Sequence, residues 1–418
     1  MCRLLFAQLK KKEGNLMEKK LNIRYMMSNF FYFSMFASMM AFVSVYLLHK
    51  GFDNATIGTV LSVTSVSSIV FQTWLANFVD KRKNLRVQDV VTFIVAVIVG
   101  GSLVLYFMPA EIGIIAIVVV IFALSQSLTA LLNSLAFIYE RFGININYGV
   151  ARGTGSAAYA ITTMLLGYVV DATSPDLLPL FYATFGILII VSVRSFFLPE
   201  DQRVVVQEVD EPLEEQVAAD QTLIEFIGKY KRLVLLMGGV VFLFFAHTII
   251  NNFFIQIITP IGGDSASMGT AIFIGAMVEL PAMMNFNQIS KKIPVSRLLI
   301  ISAVFFLAKH TLTFFAPNIF VIYLAQALQI GAFAVAYPAL VAYINSIVDL
   351  KDLVKGQSLL TIAMALSSVF ASFLGGVLLD SIGTSQTLLL GVVTTAIGLV
   401  IIIFTVEDTS EFARTIKA

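Results

Sequence analysis

Residues 150–171 read VARGTGSAAYAITTMLLGYVVD, a stretch long and apolar enough to cross a membrane as one helix. Arg152 lies just inside its start. A ring and two hydroxyls share that helical face: Ser156, Tyr159 and Thr163. An arginine at the centre of a membrane helix costs at least roughly 2.5–3.5 kcal/mol. Arg152 therefore either reaches the lipid headgroups from the helix end or lines a polar substrate cavity.

The composition of the whole chain agrees with a membrane setting. The chain is 58% hydrophobic and only 13% charged, whereas a soluble domain is about half apolar and about a quarter charged. A single soluble domain is therefore excluded. Cys2 is the only cysteine, so no intrachain disulfide or cysteine-built metal site can form. The start does not resemble a cleavable signal peptide, and Met17 is an alternative to Met1 as the true start.

Apolar windows of about 20 residues recur along the chain and predict a polytopic all-α protein. We predict twelve spans, at 25–48, 56–79, 88–108, 112–138, 150–171, 178–198, 233–257, 268–289, 297–316, 319–345, 356–379 and 385–406. The acid-rich stretch 199–232 is the one long polar connection. It separates a six-helix half at 25–198 from another at 233–406, with cytoplasmic tails at 1–24 and 407–418.

Lysine and arginine cluster in alternate connections, while the opposite connections hold only Lys50. By the positive-inside rule, both termini face the cytoplasm of a cell-membrane protein, and an even number of spans is required. The two halves also share landmarks in the same order. Gly58 stands 23 residues before Lys81, and Gly269 stands 22 residues before Lys291. A parallel repeat of this kind predicts a substrate site at mid-membrane.

Two stretches resemble one transporter family. Residues 57–81 read IGTVLSVTSVSSIVFQTWLANFVDK, and residues 130–160 read ALLNSLAFIYERFGININYGVARGTGSAAYA. Both are similar to the oligosaccharide:proton symporter, or lactose permease-like, branch of the major facilitator superfamily. The resemblance covers nearly the whole chain. It implies the major facilitator fold, with twelve transmembrane helices in two pseudo-symmetric halves.

The resemblance also implies roles for particular residues. Arg152 occupies the position of the family's sugar-binding arginine, and Tyr159 that of an aromatic residue stacked on the sugar ring. Glu279 occupies the position of the membrane carboxylate of span eight, and Lys309 lies near that of the arginine of span nine.

The chain departs from the family pattern elsewhere in the membrane. Asn133 stands in place of a sugar-binding acid, Gln329 in place of a histidine, and Ala332 in place of the proton-carrying glutamate. His247 and Gln326 replace an acid–lysine pair. These departures bear on the substrate and on the proton site, and not on the fold.

Amide side chains inside the spans offer the donors and acceptors that a neutral polyhydroxy ligand needs. The candidates are Gln126, Asn133, Asn251, Gln326 and Gln329. The alternative for each is a hydrogen bond between helices.

Glu279 is the only carboxylate well inside a predicted span, so we expect it to balance Arg152 or Lys309. The alternative is an ion pair that merely locks the bundle. Glu279 is the first candidate for a coupling proton, and His247 and His310 are the next.

We therefore expect a secondary transporter that imports a sugar, oligosaccharide or nucleoside-like solute by proton symport, with rocker-type alternating access. The alternatives are an organic-anion:proton symporter, a proton-coupled drug exporter and a solute sensor that transports nothing. No enzyme, nucleotide-binding or metal motif is present, so we expect no cofactor. The expected partners are a small-molecule substrate, protons and the lipid bilayer, not nucleic acid, for a monomeric protein.

Overall fold

The structure, a computed structural model, describes residues 2–81, 86–109, 112–141, 144–196 and 223–408, with only the backbone for residues 2–16 and a few helix ends. All regular elements in these ranges are helical. The helices are α1 (Cys2–Met40), α2 (Val43–His49), α3 (Asn54–Asp80), α4 (Val87–Phe107), α5 (Ile112–Arg141), α6 (Tyr148–Ala172), α7 (Leu178–Arg194), α8 (Leu223–Lys229), α9 (Lys231–Asn252), α10 (Phe254–Ile258), α11 (Ser265–Met284), α12 (Phe286–Lys292), α13 (Val295–Phe314), α14 (Ile319–Ala327), α15 (Phe333–Ile347) and α16 (Leu353–Thr405).

The predicted spans map onto these helices with few adjustments. Nine helices of the described chain are long and apolar enough to cross a membrane, and the bent pair formed by residues 17–40 and α2 makes a tenth. Helix α16 covers two predicted spans. They are separated by Gly383, whose backbone is non-helical with φ 83° and ψ 172°. Helix α6 has the predicted length but is not among the apolar nine. Its glycines, hydroxyls and tyrosines lower its mean hydropathy, and the predicted count of twelve spans is consistent with the described helices without being matched exactly.

Several spans are broken rather than straight. The axis bends by 42° between α1 and α2. Helix α9 ends at Asn252 before the short α10, and a 3₁₀ turn at Leu328–Ile330 separates α14 from α15. This turn matters for the site because it carries Gln329. Helix α1 begins at Cys2, well before the predicted span start at residue 25.

The helices group into two compact units. Unit 1 comprises Met1–Phe42, Val66–Thr162 and Asp176–Pro212. Within it, α7 packs against α1 and α4, and α5 packs against the same two helices. The Ser28 hydroxyl donates to Ser192 Oγ over 3.1 Å, and an Arg24 nitrogen donates to the Ser195 carbonyl over 2.6 Å. These bonds fasten the start of span one to the end of span six.

Unit 2 comprises Val43–Ser65, Thr163–Pro175 and Leu213–Ala418. Its main packing joins α9 and α13 to α16, and α11 to α14. The units cut across α3 and α6, whereas the two predicted halves follow chain order, so those halves stay a prediction.

Two helix crossings in unit 2 depend on glycine. The α3–α16 crossing pairs Gly58 with Gly376, and the α6–α11 crossing pairs Gly167 with Gly269. A Cβ on any of the four would collide with a backbone oxygen of the facing helix, so only glycine permits these approaches. Gly58 and Gly269 are the landmarks that suggested a repeat, and each makes the same kind of crossing.

The first turn of α3 is capped by a distant residue in the same unit. Asp380 accepts hydrogen bonds from the Asn54 amide and from the Ala55 backbone N–H, each over 2.7 Å. Gln256 donates to Asn54 Oδ1 over 3.0 Å. A carboxylate at a helix N-terminus satisfies an amide that has no partner within the helix.

In the predicted linker the structure describes residues 223–232, which hold α8 and the first residues of α9. Residues 199–222 lie outside the described ranges, as do residues 409–418 of the predicted C-terminal tail. Two ion pairs hold the end of α8: Lys229 Nζ lies 2.6 Å from Asp349 Oδ2 and 2.8 Å from Asp352 Oδ2. Hydrogen bonds from Lys229 lower the pKa of both aspartates, and these carboxylates raise the pKa of Lys229.

Candidate functional site

In unit 1 the candidate site begins with the way α6 starts. The Asn22 amide donates to the Asn145 carbonyl over 2.9 Å and accepts from the Asn147 backbone N–H over 2.7 Å. The Asn147 side chain in turn accepts from the Val150 N–H over 3.1 Å. Span one therefore fixes where α6 begins, and this sets the position of Arg152 one turn later.

The Arg152 guanidinium lies over the ring of Phe33 of α1, with its carbon 4.3 Å from the ring centroid. Arg152 is exposed, and no carboxylate of the described residues lies within ion-pair distance of it. A side chain at Gly155 would collide with this ring. The absence of a Cβ at Gly155 thus lets Phe33 pack on α6 and support the cation by a cation–π contact.

The other predicted site residues of unit 1 lie on α5 and α6. Tyr159 is half-buried, with its ring 6.4 Å from that of Phe36. Gln126 accepts from the Ser68 hydroxyl over 3.3 Å, which is the interhelical role weighed for such amides. Asn133 is half-buried and has no hydrogen bond among the described side chains.

In unit 2 a buried amide connects two charged groups. Lys309 is 0% exposed, and its Nζ donates to Gln329 Oε1 over 2.6 Å. The Gln329 Nε2 donates to Glu279 Oε1 over 2.8 Å. Glu279 itself is half-buried. Lys309 and Glu279 therefore interact through the Gln329 amide, and no direct ion pair between them is present among the described residues.

A second polar group in unit 2 contains both predicted membrane histidines. The ring centroids of His247 and His310 lie 6.2 Å apart at an interplanar angle of 24°. His247 Nε2 lies 3.1 Å from the Asn251 amide nitrogen, and His310 Nδ1 lies 2.7 Å from Thr395 Oγ1. Gln326 is buried and packs close to Gly275, because a Cβ added at Gly275 would lie only 3.1 Å from Gln326 Oε1.

A separate cavity of about 780 Å³ lies in unit 1, lined by Asn22, Tyr148, Val150 and neighbouring residues. None of the predicted site residues lines it. We therefore build the site on the buried polar groups and not on this surface cavity.

Comparison with known proteins agrees with this architecture. The model of the MFS_1 like family matches residues 22–390. The chain belongs to the MFS_1 like family. Its relatives include the uncharacterized transporter YwbF of Bacillus subtilis (strain 168), 23% identical over 360 residues that cover 84% of this chain and 85% of YwbF. The maltose permease of Geobacillus stearothermophilus is 21% identical over 379 residues, 90% of this chain and 92% of that protein.

Solved structures show the same fold at low identity. The nucleoside transporter NupG matches this MFS_1 like protein with a TM-score of 0.76 at 13% identity, over 92% of this chain and 98% of NupG. A D-xylose-proton symporter matches with a TM-score of 0.67 at 13% identity, over 93% and 98%. The predicted major facilitator fold is thus confirmed, and the chain is a multi-pass membrane transporter of a small-molecule substrate.

Sequence reasoning missed two contributors to the candidate site of this MFS_1 like protein. The ring of Phe33 supports the Arg152 guanidinium, and the sequence feature that could have indicated it is the aromatic run NFFYF at residues 29–33. Thr395 bonds His310 from a predicted span that contains no charged residue, and nothing in its own sequence neighbourhood pointed to it.

Proposed function

We propose that this protein imports a neutral polar solute, a sugar, oligosaccharide or nucleoside-like molecule, together with a proton. Transport would proceed by rocking of the two predicted six-helix halves, in the manner of parallel-repeat transporters. Both termini would face the cytoplasm, as the lysine and arginine distribution predicts.

The observation that carries the proposal is the Lys309–Gln329–Glu279 chain of hydrogen bonds. A fully buried lysine in a membrane protein is costly unless a counter-charge is near. Glu279 is the counter-charge at the other end of this chain, and it is half-buried, whereas Lys309 is fully buried. A proton bound by Glu279 would cancel its charge and free the Gln329 amide, so protonation would alter how Lys309 is held.

The substrate class rests on the polar side chains and on the relatives. Asn133 and Asn251 offer amide donors and acceptors, and Tyr159 offers a half-buried ring on which a sugar or base can stack. The similar proteins include a maltose permease, a nucleoside transporter and a xylose–proton symporter by name. All three names describe neutral polyhydroxy solutes.

The test uses purified protein in liposomes loaded at different internal pH. Maltose, D-xylose and uridine are first screened by thermal shift, because a ligand that binds the folded state stabilises it. For a solute that binds, proton-driven uptake and equilibrium exchange are measured for wild type and Glu279→Gln. We expect Glu279→Gln to lose uphill accumulation and to retain exchange, because glutamine mimics the protonated acid.

Glu225→Gln is the matched control, since Glu225 is an exposed acid of α8 outside the spans. It should accumulate solute like wild type. Accumulation by Glu279→Gln would move the coupling proton to another group, with His247 and His310 next. Binding without exchange in wild type would favour a sensor over a transporter.

A second candidate function is import of an organic anion, and one observation favours it. Arg152 is exposed and supported by a ring, with no described carboxylate to balance it. An arginine held in this way can bind a carboxylate with two parallel hydrogen bonds. Asn133, which could have supplied a charge in unit 1, is neutral.

Glucose and glucuronate separate the two candidates, since they differ by one carboxylate. Dissociation constants are measured for both at low and high salt, in wild type and Arg152→Lys. An anion importer should bind glucuronate more tightly at low salt, and Arg152→Lys should weaken this binding because lysine lacks the planar fork. Consistently weaker binding of glucuronate would eliminate this candidate.

A further inference from the structure

His247 and His310 are a buried pair of titratable side chains in unit 2 that the proposed transport cycle does not use. His247 is 5% exposed and His310 1%. They come from different helices, α9 and α13, and their ring planes are inclined by 24° at a centroid distance of 6.2 Å. The ring of Phe306 lies 5.2 Å from His247 and 5.7 Å from His310 by centroid, so the surroundings are largely apolar.

The hydrogen bonds of Thr395 determine which nitrogen of His310 carries a proton. The Thr395 hydroxyl donates to the Gly391 carbonyl over 2.7 Å, which uses its only hydrogen. Towards His310 Nδ1, 2.7 Å away, Thr395 Oγ1 can only accept. His310 Nδ1 therefore carries the proton, and in the neutral ring Nε2 is a bare acceptor.

The same argument gives the same tautomer for His247, but there the hydrogen-bonded nitrogen is the acceptor. The Asn251 amide nitrogen is a donor, so His247 Nε2 accepts from it over 3.1 Å. The proton of the neutral ring is then on Nδ1. Neither His247 Nδ1 nor His310 Nε2 has a hydrogen-bond partner among the described residues, although both atoms are buried.

The pair therefore presents one unpaired donor and one unpaired acceptor at neighbouring rings. Two unsatisfied polar atoms in an apolar setting are unfavourable, and one hydroxyl oxygen can satisfy both, since it accepts and donates. A nitrogen–oxygen hydrogen bond spans about 2.9 Å, so one oxygen with near-tetrahedral geometry joins nitrogens about 4.7 Å apart. The ring centroids lie 6.2 Å apart, and the proposal requires the two unpaired nitrogens to lie within this reach of one oxygen.

We propose that His247 Nδ1 and His310 Nε2 together bind one hydroxyl group. Its oxygen accepts a hydrogen bond from His247 Nδ1–H and donates one to His310 Nε2. The oxygen comes either from an internal water molecule or from a hydroxyl of the transported solute. The second source rests on the proposed function, because it requires a polyhydroxy cargo.

Four variants separate the unpaired atoms from the paired ones. Asparagine places its amide at the position of Nδ1, and glutamine at that of Nε2. His247→Gln and His310→Asn therefore remove the unpaired atom and keep the bond to Asn251 or Thr395. His247→Asn and His310→Gln do the reverse and serve as matched controls.

Thermal unfolding without cargo tests the water source. If one water joins the rings, each removing variant should lower the melting temperature by about 2 °C, and the double variant should lose no more than the larger single loss, because the same bridge is lost. If the two atoms are simply unpaired, each removing variant should raise the melting temperature and the gains should add. That result would overturn the proposal for water.

Binding of adenosine and of its 2′-, 3′- and 5′-deoxy analogues tests the cargo source. If a cargo hydroxyl fills the site, one deoxy analogue should bind wild type about tenfold more weakly than adenosine. His310→Asn should bind that analogue and adenosine equally, while His310→Gln should still discriminate. If neither arm shows the expected pattern, no hydroxyl oxygen occupies the site. Neither arm measures proton movement, so a failure of proton coupling stays distinguishable.

The tautomers can be observed directly. The chain has three histidines, His49, His247 and His310, so ¹⁵N-histidine labelling gives few signals, and single substitutions assign them. We expect the Nδ1–H tautomer for both buried rings. An Nε2–H tautomer at His310 would contradict the proposed acceptor and with it the site.

Discussion

Replacing Gln329 by methionine should reveal how strongly the buried lysine depends on its amide partner. The side chain of Gln329 makes both hydrogen bonds of the chain, 2.6 Å from Lys309 and 2.8 Å to Glu279. Methionine is similar in volume but offers only a weak thioether acceptor. Lys309, at 0% exposure, would lose the acceptor of its buried amino group, and removing one partner of a buried charged pair costs about 3–5 kcal/mol in protein interiors.

Lys309→Met alone should cost less. It leaves the Gln329 oxygen without its donor, which is worth about 1–2 kcal/mol for a neutral acceptor in a membrane bundle. The double variant removes both partners, and Glu279, being half-buried, can turn to water. We therefore expect the double variant to be more stable than Gln329→Met by about 2 kcal/mol, because the uncompensated charge has gone.

The assay is reversible unfolding in detergent or in bilayers, with all variants in one cycle. Gln326→Met, alone and with Lys309→Met, is the matched control, since Gln326 is buried in the same span but makes no hydrogen bond to Lys309. Its effects should add. If the Gln329 and Lys309 losses also add, the two side chains do not depend on each other and the reasoning fails.

Three further predictions concern the support of Arg152, the ring of Tyr159 and the Asp264 cap of α11. Gly155→Ala should displace Phe33 and weaken cargo binding by about two- to fivefold, because Arg152 loses its cation–π support. Gly153→Ala is the control and should bind normally, since a Cβ at Gly153 would face open space. Equal dissociation constants for the two variants would contradict this. Tyr159→Phe should change affinity by less than about twofold and Tyr159→Ala by about tenfold if the ring stacks on cargo, so equal losses would assign the role to the hydroxyl. Hydrogen bonds from Ser267 lower the pKa of Asp264, so this cap contributes stability above the unfolded pKa of about 3.9 and loses it as pH falls through the lower folded pKa. Asp264→Asn should flatten that acid limb in a pH series of melting temperatures, and an unchanged limb would show that the cap contributes nothing.

The fold was largely predictable because its signal is long and repetitive. Windows of about 20 apolar residues identify membrane helices without any tertiary information. The breaks were harder. Gly383 interrupts one 53-residue helix between two predicted spans, whereas the 3₁₀ turn that carries Gln329 leaves no proline or glycine at its own positions.

The candidate site was predictable in its members but not in their pairing. Intramembrane charge alone singles out Arg152, Glu279 and Lys309. Which of them meet depends on side-chain reach across helices, and there the sequence left Arg152 and Lys309 as equal partners for Glu279. Within unit 2 the Gln329 amide joins Lys309 to Glu279, a link that no sequence pattern indicates. Phe33 escaped notice because a phenylalanine in a membrane span is usually a packing residue.

The cap that Asp380 places on α3 has a consequence for biosynthesis. Ala55 donates its N–H to a carboxylate 325 residues further along the chain. A ribosome adds about 5–20 residues per second, so the first turn of α3 waits for tens of seconds before its acceptor exists. During that interval the Ala55 amide must be satisfied by water or by lipid headgroups at the membrane surface. The start of α3 is therefore completed only after the eleventh span has been inserted, and a nascent chain that ends before residue 380 should leave it frayed.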